Sequence, residues 1–260
     1  MVKKVTRASG QLVFLLARYA AAILAIGLLW HAGSLACGEA LLPKPVDAAA
    51  LFLSSLSDPA FLAHFGCSAG RLAAGLLISA AIAFPLGILL GHCKAADRAG
   101  APFVFITYPL PKIVLLPVFF VLLGLGESSR VLLIALTAGY QILVIVREAA
   151  LALSRSYAEA VRYMGGGAWD LLRHVYVPAA LPGFFTGLKI AAGTGVAVLF
   201  LAESFATDTG LGYLIMDAWG IGDTLSMFCG ILGMGVLGLA VYGLLWAAER
   251  LLCPWLHQGK

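Results

Sequence analysis

Runs of about twenty apolar residues recur along the chain, each closed by a short polar turn. Twenty residues of α-helix rise about 30 Å, the thickness of a bilayer's hydrocarbon core. The runs fall at residues 19–36, 68–92, 101–124, 131–146, 182–202 and 225–248. Of the 260 residues, 62% are hydrophobic and 12% charged. A soluble domain carries about a quarter charged residues, so the polar side chains here are too few to cover a water-facing globule. A disordered chain and a soluble enzyme are excluded. The expected fold is all-α: a polytopic membrane protein with six transmembrane helices.

Two runs carry further instructions. The third holds Pro102, Pro109, Pro111 and Pro117, which predicts a broken or kinked span, tolerable where neighbours or a water-filled cavity satisfy the freed carbonyls. The first resembles a signal peptide only in outline. Its apolar part is too long for one, and the Ser-Leu-Ala-Cys at 34–37 sits one place off a lipoprotein cleavage pattern. The stretches 38–66 and 204–224 are too polar to span.

Basic residues set the orientation. Lys3, Lys4, Arg7, Lys94, Arg98, Arg147, Arg155, Arg162, Arg173, Arg250 and Lys260 fall on the side of both termini, while the opposite loops hold only Lys44 and Arg130. Positive charge stays inside, so both termini and the 147–180 segment are expected in the cytoplasm of a multi-pass membrane protein. The net charge of +4 is too small to suggest nucleic acid. Five cysteines without a CxxC pair, and five histidines (His31, His64, His92, His174, His257) without ligand spacing, argue against a metal site or a disulfide framework.

The segment 147–180 is the longest internal polar excursion. Residues 157–164 suit a short helix with Glu159 toward its positive end, and Gly165, Gly166 and Gly167 permit a sharp reversal. A second short helix over 168–175 would put Trp169, Leu172 and Tyr176 on one side, with Pro178 stopping it and Pro182 opening the next span. Such a knob fits a groove on a partner protein, or lays its apolar side on lipid headgroups.

Glu159-Ala160-Val161, three residues, Gly165, nine residues, then Val175-Tyr176-Val177-Pro178 resembles the EAA motif of binding-protein-dependent ABC importer permeases. Tyr108-Pro-Leu-Pro-Lys112 through Pro117, Gly124 to Arg130, and Phe200-Leu-Ala-Glu203 followed by Gly210-Leu-Gly-Tyr-Leu214 are similar to the nitrate/sulfonate/taurine branch. The resemblance covers roughly residues 66–250. It implies a type I ABC importer permease fold with three parts: residues 1–63 (tail, first helix and external segment), the transmembrane domain 64–250 with its coupling loop, and a cytoplasmic tail 251–260.

It also implies partners: two ABC ATPase subunits that bind the ATP, a periplasmic or lipid-anchored substrate-binding protein, and a second permease copy, most simply a homodimer. The chain itself would hold no cofactor and catalyse nothing. Glu159, Ala160, Gly165, Trp169 and Pro178 become ATPase-coupling candidates, with Glu159 meeting basic groups of the ATPase or merely capping its own helix. Glu203, Lys112 and Lys189 are candidates for a gate or the substrate path. Against these stand a solvated helix-end carboxylate for Glu203 and lysines that snorkel to the interface. The implied solute is a small nitrate-, sulfonate- or taurine-like anion, with a thiamine-precursor-like or other small heterocycle as the alternative.

Two matches to nucleotide motifs fail on context. Gly233-Met-Gly-Val-Leu-Gly238 lies inside a span and reads as a helix-packing face, and Gly183 to Lys189 lacks the Gly-Lys-Ser/Thr ending of a P-loop. An ion-coupled secondary transporter would carry an ionisable group at mid-span. An intramembrane enzyme would show a catalytic pair or metal motif. The spans lack a central carboxylate, and no such pair or motif is visible in them.

Overall fold

Every expected span falls in helix, the third in separate pieces, and two of the helices begin at an aspartate that takes up a free backbone N–H. The computed structural model describes residues 2–256, with the side chains of residues 17–154 and 156–256. The side chains of Lys3, Lys4, Arg7 and Arg155, together with His257 and Lys260, lie outside the described residues. In chain order the α-helices are α1 (Val2–Cys37), α2 (Pro45–Ser55), α3 (Pro59–His92), α4 (Lys94–Thr107), α5 (Leu116–Leu123), α6 (Glu127–Leu151), α7 (Arg155–Tyr163), α8 (Ala168–Leu171), α9 (Val177–Glu203), α10 (Leu211–Gly220) and α11 (Thr224–Leu252). Asp58 caps α3 by accepting from the Ala60 N–H at 2.9 Å, and Asp223 caps α11 through the Ser226 N–H at 3.0 Å.

Among the described residues five helices are long and apolar enough to cross a membrane, and α4 with the chain from Lys112 to Leu123 makes a sixth if this pair, bent by 85°, is one span. The proline-rich run is therefore broken, as its sequence predicts. Pro109 and Pro111 donate no N–H; Tyr108 is still helical at φ −58° and ψ −45°, and the chain leaves the helix by Pro111, which is extended at φ −67° and ψ 102°. A short 3-10 turn, Lys112–Leu115, restarts the chain in a new direction.

The core is α6 clasped between α3 and α9, and small residues at every fourth position build it. On α3 the row is Gly75, Ser79, Ala83, Gly87 and Gly91; on α9 it is Gly183, Gly187, Ala191 and Gly195. They meet Ile134, Ala138, Ile142, Val146 and Ala150 of α6, all five buried. A Cβ at Gly75 would lie 2.5 Å from Ile134 Cγ2, and one at Gly87 2.8 Å from Val146 Cβ. Apolar side chains gain nothing by leaving lipid for other apolar side chains, so close backbone approach and the dispersion it brings must hold such helices together. The Ser79 hydroxyl stands within hydrogen-bond reach of the Ala135 carbonyl at 2.8 Å across this seam. In the sixth span, Gly233 and Gly238 pack as expected against Phe61 and Val196, while Gly235 faces open space.

Gly87→Leu should therefore overpack the α3–α6 seam, at a cost of about 1–3 kcal/mol or more. Gly70→Leu, where a Cβ would meet nothing within 4 Å, should be close to neutral. Thermal unfolding in detergent compares the two, and equal midpoints would contradict the seam.

Three expectations need correction. The second short helix does not stop at Pro178: α8 runs through a π-turn, Leu172–Tyr176, directly into α9. A proline removes the bond to the carbonyl four residues back and crowds it, and the wider π-turn just upstream makes that room. Pro182 consequently lies inside α9 rather than opening it. Trp169, Leu172 and Tyr176 do not share a face either, since Trp169 is exposed while Leu172 and Tyr176 pack on the core.

Candidate functional site

The first candidate is the hairpin from Ser154 to Pro178. The Ser154 hydroxyl accepts from the Ser156 N–H at 3.4 Å and caps α7. At the other end the Gly166 N–H reaches the Val161 carbonyl at 2.9 Å, and the Gly165 N–H reaches the Arg162 carbonyl at 2.9 Å. This pair of bonds is the Schellman closure of a helix, and it requires a left-handed residue. Gly165 supplies that residue at φ +84°. The Asp170 carboxylate then accepts from the Gly167 N–H at 2.9 Å, which fixes where α8 starts.

The crest of this hairpin is apolar and uncovered. Tyr163 is 90% exposed, Trp169 69%, and Tyr157 and Met164 are similarly open. Its base is anchored: Leu171 and Val175 are buried, and the Tyr176 ring lies 4.2 Å from that of His92 at the end of α3. Glu159 and Ala160 are exposed on α7. Glu159 sits at mid-helix with no partner among the described residues, and Ser154 does the capping, so the reading of Glu159 as its own helix's cap is corrected. Pro178 is half-buried at the start of α9.

At the opposite ends of the spans lies a buried ionic knot. Glu203 is 1% exposed and Arg71 2%. Arg71 Nη1 donates to Glu203 Oε1 at 2.8 Å, while its Nε and Nη2 fork onto the two oxygens of Glu127 at 2.6 and 2.5 Å. Arg71 also reaches the carbonyl and hydroxyl oxygens of Thr209 at 2.9 and 2.8 Å. The Ser68 hydroxyl and the Gly212 N–H donate to Glu203 at 2.8 and 2.9 Å.

The glycines of the Gly210-Leu-Gly212 turn are what let Glu203 lie there. Gly210 has φ +109°, and a Cβ at either glycine would overlap the Glu203 side chain. Arg130 ties the next loop by donating to the carbonyls of Ala202, Leu125, Gly126, Phe205 and Ala206, and Ala206 is held at φ +51°. The knot joins α3, α6, α9 and α10. Glu203 is thus neither a solvated helix-end carboxylate nor a surface available for direct contact with a binding protein.

The two lysines are also partnered. Lys112 Nζ donates to the Thr107 and Tyr108 carbonyls at 2.9 and 2.5 Å, closing the broken end of α4. Lys189 pairs with Glu249 of α11 at 2.7 Å rather than snorkelling. Glu203, Lys112 and Lys189 share no partner, so they do not form one site. Arg71 and Glu127 were not singled out from sequence. The signal that could have found the knot is a glutamate followed at seven and nine residues by glycines.

Comparison with known proteins gives a concordant picture. Residues 83–252 match the profile of a family described as binding-protein-dependent transport system inner membrane component. A putative aliphatic sulfonates transport permease protein of Bacillus subtilis is 29% identical over 83% of this chain and 78% of its own. A formylaminopyrimidine transport permease protein of Halalkalibacterium halodurans is 26% identical over 87% and 91%. Among solved structures, an inward-facing MetNI methionine ABC transporter chain superposes with a TM-score of 0.63 at 20% identity, over 75% of this chain and 99% of that one.

Proposed function

Because the chain belongs to the family of binding-protein-dependent transport system inner membrane components, a family of multi-pass ABC importer permeases, we propose that the 154–178 hairpin is its coupling element to ATPase subunits. The observation that carries this is the hairpin's exposed apolar crest on a rigidly anchored base. Burying a large apolar side chain is worth about 1.5–3 kcal/mol, so Tyr157, Tyr163, Met164 and Trp169 together form a strong anchor for a groove. Glu159 and Ala160 stand on the same short helix, with the carboxylate free to meet a basic group.

In this reading the complex holds two permeases and two ATPases, with a binding protein delivering solute from outside. ATP binds in the partner chains, and this chain catalyses nothing. Closure of the ATPases draws the two hairpins together and rotates the spans, so that a path at the interface between permease copies opens alternately to each side. The excess of basic residues beside the hairpin supports a cytoplasmic position for it and for both termini, in a bacterial inner membrane. Co-expressed with its cognate ATPase, the chain should purify as a 2:2 complex by native mass measurement, and an active monomer without ATPase would overturn the proposal. Cysteines placed at Ser156 and Asp208 should label from opposite faces, and labelling from one face would refute the orientation.

The solute favoured is a small anion of the sulfonate class, given the similarity to the aliphatic sulfonates permease. A small heterocycle is the second reading, supported by comparable similarity to the formylaminopyrimidine permease.

A further inference from the structure

We propose that Tyr108, Lys112, Tyr140, Gln141 and Thr194 form a solute-contact track within the membrane, and that it takes a small organic anion. The inference rests on the permease reading above and names the residues and ligand chemistry of its path.

Their contacts form two sets across three elements, joined where Tyr140 and Gln141 follow one another on α6. Lys112 Nζ lies 4.2 Å from the centroid of the Tyr140 ring and 5.3 Å from that of Tyr108. The Tyr140 hydroxyl meets Thr107 Oγ1 at 2.8 Å. Gln141, the next residue along α6, accepts from the Thr194 hydroxyl of α9 at 3.0 Å. The track therefore runs from the break between α4 and α5, across α6, to α9.

Its depth makes it informative. Gln141 stands ten residues from the nearer end of α6, on the order of 15 Å at the helical rise. None of the five is buried within this chain. A partly uncovered amide, ammonium and hydroxyl at that depth do not face hydrocarbon, because polar groups inside a membrane line a protein interior or a water-filled cavity. A broken span supplying a charged group at mid-depth is likewise how transporters place solute sites.

The chemistry is donor-rich and lacks a carboxylate. Arg71, Arg147 and Lys189 each meet an acid, and Lys112 meets none among the described residues. Two of its three N–H groups hold carbonyls, which leaves one donor and the full charge for a ligand. The Gln141 amide nitrogen also has no acceptor among the described residues. Next to this polar line, Tyr140 helps line an almost wholly apolar cavity of about 420 Å³ between α3, α4 and α6, with Ile82, Leu86, Phe103, Leu136 and Gly139 among its walls. An anionic head on Lys112, beside the Tyr140 ring, with an apolar body in the cavity that Tyr140 lines describes an organic anion rather than an inorganic one.

Thiol labelling tests this in native membranes holding the complex. Thr194→Cys, a near-isosteric change, is exposed to 2-sulfonatoethyl methanethiosulfonate and to its trimethylammonium counterpart, and modification is read on the residue-194 peptide by mass. With each rate normalised to a small thiol in solution, the sulfonate reagent should be favoured by about tenfold, as expected for one nearby fixed charge at an intermediate dielectric. Adding Lys112→Gln should erase that preference, and Lys112→Arg should keep it. Sodium ethanesulfonate should slow the labelling more than sodium nitrate at equal ionic strength.

Inertness to both reagents, with and without ATP, would overturn the placement of the track. Equal normalised rates would overturn its anion selectivity, and equal protection by nitrate would overturn the organic class. ATPase co-purification is measured on the same membranes, so the permease reading can survive any of these failures and would fail separately if the partner were absent.

Discussion

Gly165→Val is expected to abolish transport while leaving membrane insertion and expression near normal. Gly165 holds the left-handed turn at φ +84°, and a β-branched residue is strained there by about 1–3 kcal/mol. The neighbouring glycines offer only a costly escape. Sliding the reversal by one residue would put Gly166 in the left-handed position, break the Gly167–Asp170 bond and turn α8 by about 100°. Trp169 and Asp170 would then leave the surface that the partner meets. Gly166 itself cannot take a side chain, because a Cβ there would lie 2.5 Å from Val161 Cγ1 and 2.9 Å from the Val161 carbonyl oxygen. Gly166→Val should match Gly165→Val, while Gly165→Ala should be milder. Glu159→Lys isolates the charge: it leaves the Ser154 cap and the turn intact, so lost coupling would point to a basic partner. The readout is solute-stimulated ATP hydrolysis by the reconstituted complex. Wild-type stimulation in a correctly folded Gly165→Val protein would mean that the hairpin does not couple.

The sequence made the spans legible because length and apolarity decide a membrane crossing almost without regard to tertiary contacts. It made the broken third span legible for a similar reason, since prolines act locally. Gly165 could be read as a turn because three glycines stand between two helical patterns. What failed was Pro178, whose effect depends on the π-turn before it, and periodicity assumes a regular helix. The knot was hidden because Arg71 and Glu203 lie 132 positions apart, and nothing at either position names its partner. The polar track was hidden for the opposite reason. Gln141 and Thr194 carry no charge, so a reading that looked for ionisable groups at mid-span passed over them.

Removal of Arg71 should produce the largest stability loss of any single change at the knot's end of the spans. Its guanidinium satisfies a glutamate that has no access to water, and breaking such a pair from one side leaves a buried charge at a cost of about 3–5 kcal/mol. The two partners should not behave alike. In Arg71→Met, the Glu203 carboxylate keeps only Ser68 and the Gly212 N–H. In Glu203→Gln, Arg71 keeps its fork onto Glu127, whose side chain is 60% exposed, and the amide oxygen can still accept from Gly212. The second loss should be nearer 1–3 kcal/mol, the range for an imperfectly satisfied polar group. Arg71→Met combined with Glu203→Gln should cost clearly less than the two single changes added, since the double variant removes the stranded charge. Thermal unfolding in detergent, followed through ATPase co-purification, measures all three. Additive losses would show that Arg71 and Glu203 act independently, and α3, α6, α9 and α10 would then have to be held together at that end by packing alone.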